Sequence, residues 1–205
     1  MSHVKADQPS SEAYACGAWL LMCEAAALRA IAEVEAGAGG AFLDSGEPTI
    51  LYEPHVFHRL TRGQWDGRRE PNAPMSEAWG ELSRPNWVPG TYGPTRVQHT
   101  RLAAAAQLDR DAALRSCSWG LYQIMPTPET LWCCFGSLQR FVNAMYRDVD
   151  DHLRALVFFI RLDPRLVDAI RWKDWESFAR VYNGPGHATN RYAPRMAEAY
   201  ERGRL

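Results

Sequence analysis

The stretch Ala27-Leu-Arg-Ala-Ile-Ala-Glu-Val-Glu-Ala-Gly-Ala-Gly-Gly40 reads as a helix that ends in a carboxylate and then in a glycine turn. At about 100° per residue, Ile31 and Glu35 fall on nearly one line, so Glu35 lies at the C-terminal end of an apolar stripe. Glu33 is rotated away from this stripe, four residues after Arg29, a spacing at which an exposed ion pair forms. The two acids are therefore predicted to have different environments.

Glu35 is the more informative of the two acids. A carboxyl group pressed against apolar surface loses hydration, which raises its pKa and keeps it protonated near neutral pH. A protonated carboxyl is what general acid catalysis requires. The alternative is a buried Glu that only accepts a hydrogen bond from a backbone donor, which is the commoner situation for a single Glu in a helix. The segments that follow Glu35 bear on this choice.

The composition is that of one soluble globular domain. The chain has 205 residues, of which 46% are apolar and 23% charged, as in ordinary globular proteins. The net charge of −1 gives no indication of a nucleic-acid partner. Eight Trp and eight Tyr suit a core and also a carbohydrate groove, because the C–H faces of sugars stack on aromatic rings. We predict a flexible leader over residues 1–9 and a single monomeric domain over residues 10–205.

Cysteine usage and hydropathy exclude several other classes. The chain has five Cys, with Cys133-Cys134 adjacent and no CxxC pair, so we expect reduced thiols rather than a metal cage or a redox motif. The first fifteen residues are polar and give no secretory signal. The apolar run Ala15–Ala32 is interrupted by Glu24 and Arg29, which makes it too polar for stable membrane insertion.

Helical periodicity and capping signals occupy most of the chain. The predicted helices cover residues 10–22, 24–37, 54–60, 94–107, 109–115, 138–146, 151–162, 164–172, 175–182 and 190–202. Ser118–Met125 is predicted to be a compact apolar turn with a short helix, stopped by Pro126. The fold class is therefore mainly α.

Two segments depart from the helical pattern. In residues 42–52, apolar residues flank Asp-Ser-Gly-Glu-Pro, which predicts a small β-hairpin or strand pair. Residues 62–93 are rich in Gly, Pro, Asn and Trp and have no clear period, which indicates a long surface loop. Loops of this length usually carry function or are mobile.

Four sequence blocks occur in a recognisable order: a helix ending in Glu before glycines, a small β element, Gly-x-x-Gln-Ile, and Tyr-Asn-Gly. The blocks are Ala30–Glu35, Ile50–His55 with Phe57 and Arg59-Leu60, Ser118–Met125, and Phe178–Gly186 with Tyr192. In this order and spacing they resemble the lysozyme-like superfamily, and more narrowly the N-acetylmuramidase family found among phage endolysins. Each block alone is weakly specific, whereas the four together span nearly the whole chain.

The resemblance implies a lysozyme-like fold, α+β but mainly α, with the β element inserted after the Glu35 helix, and no metal or cofactor. It implies that Glu35 is the acid that cleaves the β-1,4 bond between N-acetylmuramic acid and N-acetylglucosamine in bacterial peptidoglycan, which lyses the cell. The glycosidic oxygen is a poor leaving group until it is protonated, and the dipole at the helix C-terminus further disfavours the Glu35 anion. An endolysin is made in the host cytoplasm without a signal peptide and acts on the periplasmic wall after release.

Glu53 is the family-matched candidate for a second catalytic carboxylate. It follows the β element, from where it could orient a water on the opposite face of the sugar, as an inverting mechanism requires. Asp44 and Glu47 in the β element are rivals. The alternative for Glu53 is a charge at a helix start, which the helix dipole favours, and the sequence does not separate these roles. His55 and Arg59 are predicted to hold Glu53 or its loop in place.

The candidate substrate-binding residues are Ser118, Trp119, Tyr122, Gln123, Tyr182 and Asn183. The first four belong to Ser118–Met125, whose backbone offers hydrogen bonds to acetamido groups. Most side chains of this segment could instead pack beneath the Glu35 helix, with Gln123 the exception. In the resembled families the Tyr-Asn pair faces the cleft, although by sequence alone it could equally cap a helix.

Two other functions stay open. Pro126 stands where muramidases usually have Gly, and Gly120–Pro126 together with Tyr182–Gly186 also resembles soluble lytic transglycosylases. Those enzymes cleave the same bond with one Glu and give a 1,6-anhydro product. A non-catalytic peptidoglycan-binding or structural protein would need no buried acid, so the placement of Glu35 argues against it. The Ile50–His55 block favours the hydrolase.

Overall fold

The computed structural model describes residues 5–36, 39–184, 188 and 190–204. Within the predicted leader, the Lys5 ammonium donates to the carbonyl of Gly46 at 2.8 Å and lies 4.3 Å from the centre of the Phe42 ring. Pro9 is buried. The packed part of the chain therefore begins earlier than predicted, because a long lysine stem and an apolar proline both find partners on the domain. Residues 1–4 of the predicted leader lie outside the described ranges.

Two helices at the N-terminus meet at a sharp bend. α1 spans Ser11–Leu21 and α2 spans Ala25–Glu35, and the chain turns by 109° between them. Ser10 accepts a hydrogen bond from the backbone N–H of Ala13 at 3.1 Å, which is the cap that the sequence predicts. No described helix is long and apolar enough by itself to cross a membrane, whereas this bent pair passes on length and composition.

The small β element is confirmed. An isolated bridge between Phe42 and Pro48 closes a turn, and β1 follows at Ile50–Tyr52. β1 pairs antiparallel with β2, Cys117–Trp119, in a two-stranded sheet. The β element therefore follows α2, as the resemblance implies.

The short helix predicted within Ser118–Met125 is wrong. All three β2 residues are buried and form strand pairs with β1, and Trp119 also forms a bridge with Ile124 across the turn that follows. The partner of β2 lies far away in the sequence, so neither local propensity nor periodicity in this segment signals a strand. The predicted compact turn is present and contains Gly120 and Gln123, both with positive φ.

The remaining helices are α3 Pro54–Thr61, α4 Gln98–Ala106, α5 Arg110–Arg115, α6 Pro128–Thr130, α7 Leu138–Arg147, α8 Val149–Leu162, α9 Pro164–Trp172, α10 Trp175–Asn183 and α11 Tyr192–Gly203. Apart from the short helix within Ser118–Met125, each predicted helix is present, with ends shifted by a few residues. Short 3₁₀ turns lie at Ala78–Gly80 and Thr95–Val97, and a π-helical turn at Leu131–Phe135 follows α6. α11 begins after Arg191, whose φ is positive, and not from a side-chain cap at Asn190.

Helix packing places the C-termini of α2 and α10 near each other. α11 lies along α2, and α10 packs against both α9 and α11. On α2, Leu28 and Ile31 are fully buried, which confirms the predicted apolar stripe. Hydrophobic burial of this kind is the main stabilising term in folding. The core therefore fixes where the carboxyl group at the end of α2 lies.

The five cysteines are not paired with one another. Cys16 and Cys133 are exposed, Cys117 and Cys134 are buried, and Cys23 is half-buried. Burial raises the pKa of the Cys134 thiol to about 11, so that thiol stays protonated near neutral pH.

Candidate active site

Glu35 is the last residue of α2 and is half-buried. Burial raises the pKa of its carboxyl to about 7, while smaller opposing effects come from a hydrogen bond with Asn183 and the positive charge of Arg195. Desolvation has this effect because the charged form loses more hydration energy than the neutral form. The glycine turn predicted after Glu35 falls partly on residues 37–38, which lie outside the described residues. The environment of Glu35 is that of a carboxyl able to hold a proton near neutral pH.

Glu33 differs from Glu35 as the sequence predicts. Its side chain is 60% exposed and forms an ion pair with Arg202 at the end of α11. Arg29, the partner expected from the helical spacing, instead donates to Ser11 and lies 4.2 Å from the centre of the Tyr14 ring. The aromatic ring of α1 therefore competes successfully with the local ion pair.

Asn183 contacts Glu35 directly. Asn183 is the last residue of α10, and its Nδ2 group donates to Oε1 of Glu35 at 3.0 Å. Asp174 caps the start of α10, where its side chain accepts from the backbone N–H of Ser177, and Gly184 follows the helix with a φ of 66°. Glycine adopts this conformation without the penalty of a Cβ. The predicted Gly-Pro-Gly turn continues into residues 185–186, outside the described residues.

Tyr182, next to Asn183, is held by two aromatic rings. Its ring stacks on Phe178, with centroids 5.6 Å apart and planes 16° from parallel, and meets Phe159 edge-on at 5.3 Å. Burial raises the pKa of the Tyr182 hydroxyl, and the nearby negative charge of Glu35 raises it further. The structure therefore brings both members of the predicted Tyr-Asn pair to the Glu35 carboxyl, with Asn183 in contact.

Gln123 and Ser118 connect the turn after β2 to the segment before β1. The Ser118 hydroxyl donates to Oε1 of Gln123 at 2.9 Å, and Nε2 of Gln123 donates to the carbonyls of Gly120 at 2.8 Å and Thr49 at 3.4 Å. The Thr49 carbonyl also accepts from the backbone N–H of Gly120 at 2.7 Å. Gln123 is half-buried. Its amide therefore stabilises the turn, and Oε1 keeps one lone pair that accepts no hydrogen bond from the described residues.

Gly120 is required at this turn for two reasons. Its φ is +70°, and a Cβ at this position would lie 2.7 Å from Nδ1 of His152. His152 is buried, accepts from the backbone N–H of Leu121 at 3.1 Å, and contacts the carbonyl of Met145 at 2.8 Å. Any larger residue would strain the backbone and displace this imidazole.

Trp119 and Tyr122 are core side chains. Trp119 is 1% exposed, and its Nε1 donates to the carbonyl of Leu114 at 3.1 Å. Tyr122 is 4% exposed, and burial raises the pKa of its hydroxyl. The expectation that these two side chains contact a sugar is therefore corrected, because little of either surface is open to a ligand. The alternative suggested by the sequence, in which these side chains pack in the interior, describes them better.

Glu53 immediately precedes α3 but makes no side-chain cap to it. Its Oε2 accepts from the Tyr92 hydroxyl at 2.9 Å and lies 3.4 Å from Nδ1 of His55. Its backbone N–H donates to the carbonyl of Ser116 at 2.8 Å. His55 therefore contacts Glu53, as the sequence analysis expected. Glu53 is also the N-cap residue of α3, so the alternative of a charge at a helix start stays open.

The sequence analysis missed Tyr92 and Trp87. Nε1 of Trp87 donates to the Tyr92 hydroxyl at 2.6 Å, so Trp87, Tyr92 and Glu53 form a hydrogen-bonded chain. Burial, followed by the charge of Glu53, raises the pKa of Tyr92 to about 12. The available signal was the length and aromatic content of the loop over residues 62–93, which do not reveal which side chains turn toward Glu53.

The rival acids lie on the turn before β1. Asp44 is exposed, and Glu47 accepts from the Ser45 hydroxyl at 3.0 Å and lies 3.8 Å from Nδ1 of His99. Neither contacts Glu53 or Glu35. In the part of the chain that the structure describes, no group of three or more His, Cys, Asp or Glu side chains is arranged to hold a metal ion.

A comparison with protein-family models matches residues 24–204 to the N-acetylmuramidase model, named Muramidase. The chain belongs to the N-acetylmuramidase family. The matched range includes Glu35, Glu53 and Asn183, so the site described above lies within the family domain. This muramidase is a peptidoglycan hydrolase of the glycoside hydrolase class.

A solved structure supports the same assignment. The crystal structure of the Burkholderia AP3 phage endolysin is 31% identical in sequence, with a TM-score of 0.81 over 98% of this chain and 74% of that chain. The expected endolysin-like fold is thereby confirmed. No curated protein sequence matches this muramidase.

Proposed function

We propose that this muramidase cleaves the β-1,4 bond between N-acetylmuramic acid and N-acetylglucosamine, with Glu35 as the general acid. The observation that carries the proposal is the burial of Glu35, which raises its pKa to about 7. A glycosidic oxygen leaves readily only after protonation, so the enzyme needs an acid that is protonated at working pH. The raised pKa of Glu35 meets this need, whereas Glu33 is exposed and forms an ion pair with Arg202.

Asn183 supports this role by distinguishing the two carboxyl oxygens. Its amide N–H donates to Oε1 of Glu35, which requires a lone pair on that oxygen. The carbonyl oxygen is the better acceptor of a neutral carboxyl, so this hydrogen bond favours a proton on Oε2. We propose that Oε2 faces the glycosidic oxygen and that Asn183 holds the carboxyl in the orientation for transfer, as a supporting hydrogen bond does in other catalytic sites.

Glu53 is proposed to be the base that orients the attacking water. In an inverting glycosidase, a carboxylate about 6.5–9.5 Å from the acid activates water on the opposite face of the sugar. The hydroxyl of Tyr92 and the imidazole of His55 are suitable partners for an ionised Glu53. Water attack at the anomeric carbon then breaks the bond to the oxygen protonated by Glu35, and Glu53 takes the proton of the water.

The sugar-binding roles are proposed for polar groups beside Glu35 and on the turn after β2. Asn183 and Tyr182 lie beside Glu35, and Gln123 keeps a lone pair on Oε1 after its hydrogen bond with Ser118. An acetamido N–H of the glycan is a suitable donor to that lone pair. We propose that Gln123 and Ser118 act as one unit, in which the serine hydroxyl fixes the amide that meets the substrate.

A lytic transglycosylase is the second candidate function. It needs only one acid, because the 6-hydroxyl of the sugar attacks in place of water, and the hydrogen bond from Tyr92 gives Glu53 a structural use that fits this alternative. Mass spectrometry of digested peptidoglycan separates the two reactions. We expect N-acetylmuramic acid ends that borohydride reduces. Products lighter by one water and resistant to borohydride would replace the hydrolase with the transglycosylase.

The proposed setting is that of a phage or prophage endolysin. We propose that the enzyme is made in the host cytoplasm, lyses the cell after reaching the periplasmic wall, and works as a monomer without cofactor, nucleic-acid partner or stable membrane insertion. Expression in a bacterium should be tolerated until the inner membrane is permeabilised, and lysis on expression alone would contradict this. A zymogram with no clearing on several wall types would instead favour a binding or structural protein.

A further inference from the structure

Trp87 exposes a large apolar surface close to Glu53. Its side chain is 55% exposed, and the neighbouring Val88 is 41% exposed. Both residues belong to the long loop between α3 and α4. An exposed indole is commonly mobile, so its environment decides whether its face is available in one defined position.

The edge of the Trp87 indole is fixed. Nε1 donates to the Tyr92 hydroxyl at 2.6 Å, and that hydroxyl donates to Oε2 of Glu53 at 2.9 Å. The backbone carbonyl of Tyr92 accepts from Nε2 of Gln98 and from Nη1 of Arg101, both at 2.8 Å. Gln98 and Arg101 are buried. The hydrogen bonds from Trp87 through Tyr92 to Glu53 are thus attached to the core, while much of the Trp87 side chain stays exposed to solvent.

The other highly exposed tryptophans are held differently. Trp19, Trp132 and Trp172 are 77%, 80% and 80% exposed, and their indole N–H groups donate to no partner within the described residues. Their positions are spread over α1, the π-helical turn and α9. Trp87 alone among these four combines an open face with a hydrogen bond to a group that contacts a candidate catalytic carboxylate.

We infer that the indole of Trp87 is a stacking platform for a sugar ring of the glycan strand, positioned next to Glu53. The inference rests on the proposed function, because that function makes Glu53 part of the site. In β-1,4-linked N-acetyl sugars the ring substituents are equatorial, so each ring face presents C–H groups that pack on an aromatic surface. A fixed aromatic ring makes such contacts at low cost in conformational entropy.

The arrangement assigns a separate role to Tyr92. Its hydroxyl accepts from the indole and donates to Glu53, so it is a positioning residue that fixes the sugar platform relative to the carboxylate. A glycan stacked on Trp87 is thereby placed at one distance from Glu53. Removing the hydroxyl should loosen that placement without removing the platform.

The first test measures binding by calorimetry, with glycan strands freed of their peptides by an amidase as the probe. Every variant is made in a Glu35→Gln background to prevent turnover. Trp87→Ala should weaken binding roughly tenfold, as the loss of an aromatic anchor does, and Trp87→Phe should give an intermediate loss. The matched control Trp172→Ala should bind within about twofold of the background. Equal binding by Trp87→Ala and its background, at unchanged melting temperature, would overturn the inference.

The second test uses steady-state kinetics with Glu35 restored. Trp87→Ala should raise KM with little change in kcat, and Tyr92→Phe should lower kcat with little change in KM. If Trp87→Ala fails to fold, Trp87→Phe decides the platform. An unchanged KM in a folded Trp87 variant would contradict the sugar contact. A folded wild-type enzyme that releases no muropeptides would sink the proposed function, yet the binding comparison would still test Trp87, so the two failures are distinguishable.

Discussion

Glu35 ends a helix and Glu53 precedes one, and their carboxyl groups have different neighbours. Glu35 is desolvated, with a pKa of about 7, and accepts one hydrogen bond from the neutral amide of Asn183. Glu53 has a side chain that is 16% exposed, accepts from the Tyr92 hydroxyl, and lies beside His55. The first environment favours a neutral acid, and the second provides hydrogen-bonding partners. Two identical side chains thus have different surroundings, and the separate roles that we propose for them rest on this difference.

The difference also lies in how each environment is built. The Glu35 site consists of helix ends, which the apolar core fixes in space. The Glu53 site depends on one loop that returns to the end of β1 through Tyr92. We expect the first to be rigid and the second to respond to changes in the loop, and the following predictions test this contrast.

The largest expected effect is that of Glu35→Gln. Activity on peptidoglycan should fall by about 10²–10⁴-fold, because an amide cannot donate the proton that general acid catalysis supplies. Release of soluble muropeptides measures the rate, and circular dichroism checks the fold. The control is Glu33→Gln, which removes only an exposed ion pair with Arg202. Similar losses in both variants would show that the assignment of the two acids is wrong.

Glu53→Gln should have the next largest effect. We expect a loss of roughly tenfold to a hundredfold, because a water without a base still attacks, but slowly. The matched control is Glu47→Gln, an acid on the turn before β1 that contacts His99 and not Glu53. The same muropeptide assay measures both variants. A greater loss in Glu47→Gln would transfer the role of base to that residue.

The pH dependence of activity tests the acid directly. A general acid must be protonated, so the rate should fall as pH rises through about 7, the pKa of Glu35. The pH profile of the residual activity of Glu35→Gln should lack this fall in rate. A wild-type rate that stays constant from about pH 6 to pH 9 would contradict a titrating acid with this pKa.

The same pKa predicts a stability effect with a defined sign. The pKa of Glu35 is raised from 4.5 to about 7 in the folded state, so between these values the folded state binds more protons than the unfolded state. Stability from this group is therefore lost as pH rises across that window. Glu35→Gln removes this cost, and its melting temperature relative to wild type should increase from about pH 4 to pH 8. An unchanged difference would mean that Glu35 is not desolvated.

Asn183→Ala should have the smallest effect on rate. The hydrogen bond from Asn183 lowers the pKa of Glu35, so its loss should move the alkaline limb of the pH profile to higher pH while kcat falls severalfold. Asn143→Ala is a suitable control, because Asn143 is exposed and bonds Gln139 on α7. A shift of the limb to lower pH would be opposite in sign to the expectation.

Local patterns predicted the parts of this muramidase that are built from local contacts. The stripe that ends at Glu35, the Ser10 cap and the helix before Asn183 follow from periodicity and capping within one segment. The different exposure of Glu33 and Glu35 follows from the same geometry. The contact between Asn183 and Glu35 was not predicted, because no local rule joins two helix ends so distant in the chain. The resemblance to a family implied only that the Tyr-Asn pair faces the cleft.

The misses share a physical cause, which is dependence on distant partners. β2 is a strand because β1 pairs with it, and Trp119 packs against Phe141, with ring centroids 6.3 Å apart. Tyr92 and Trp87 lie in a loop without a period, so their contact with Glu53 could not be read from spacing. Arg29 lies over the Tyr14 ring of α1 and not beside Glu33, its expected partner on α2.

The two-stranded sheet has a further consequence for variation among related enzymes. Tyr52 and Cys117 face each other across it, so residues 53–116 form one excursion that is closed at its base. The entropy of such a closure changes slowly with the number of residues inside. Insertions and deletions at the loop tip can therefore accumulate without disturbing the C-termini of α2 and α10. We expect that exchange of this excursion between homologues would leave Glu35 and Asn183 in place, because both lie outside residues 53–116.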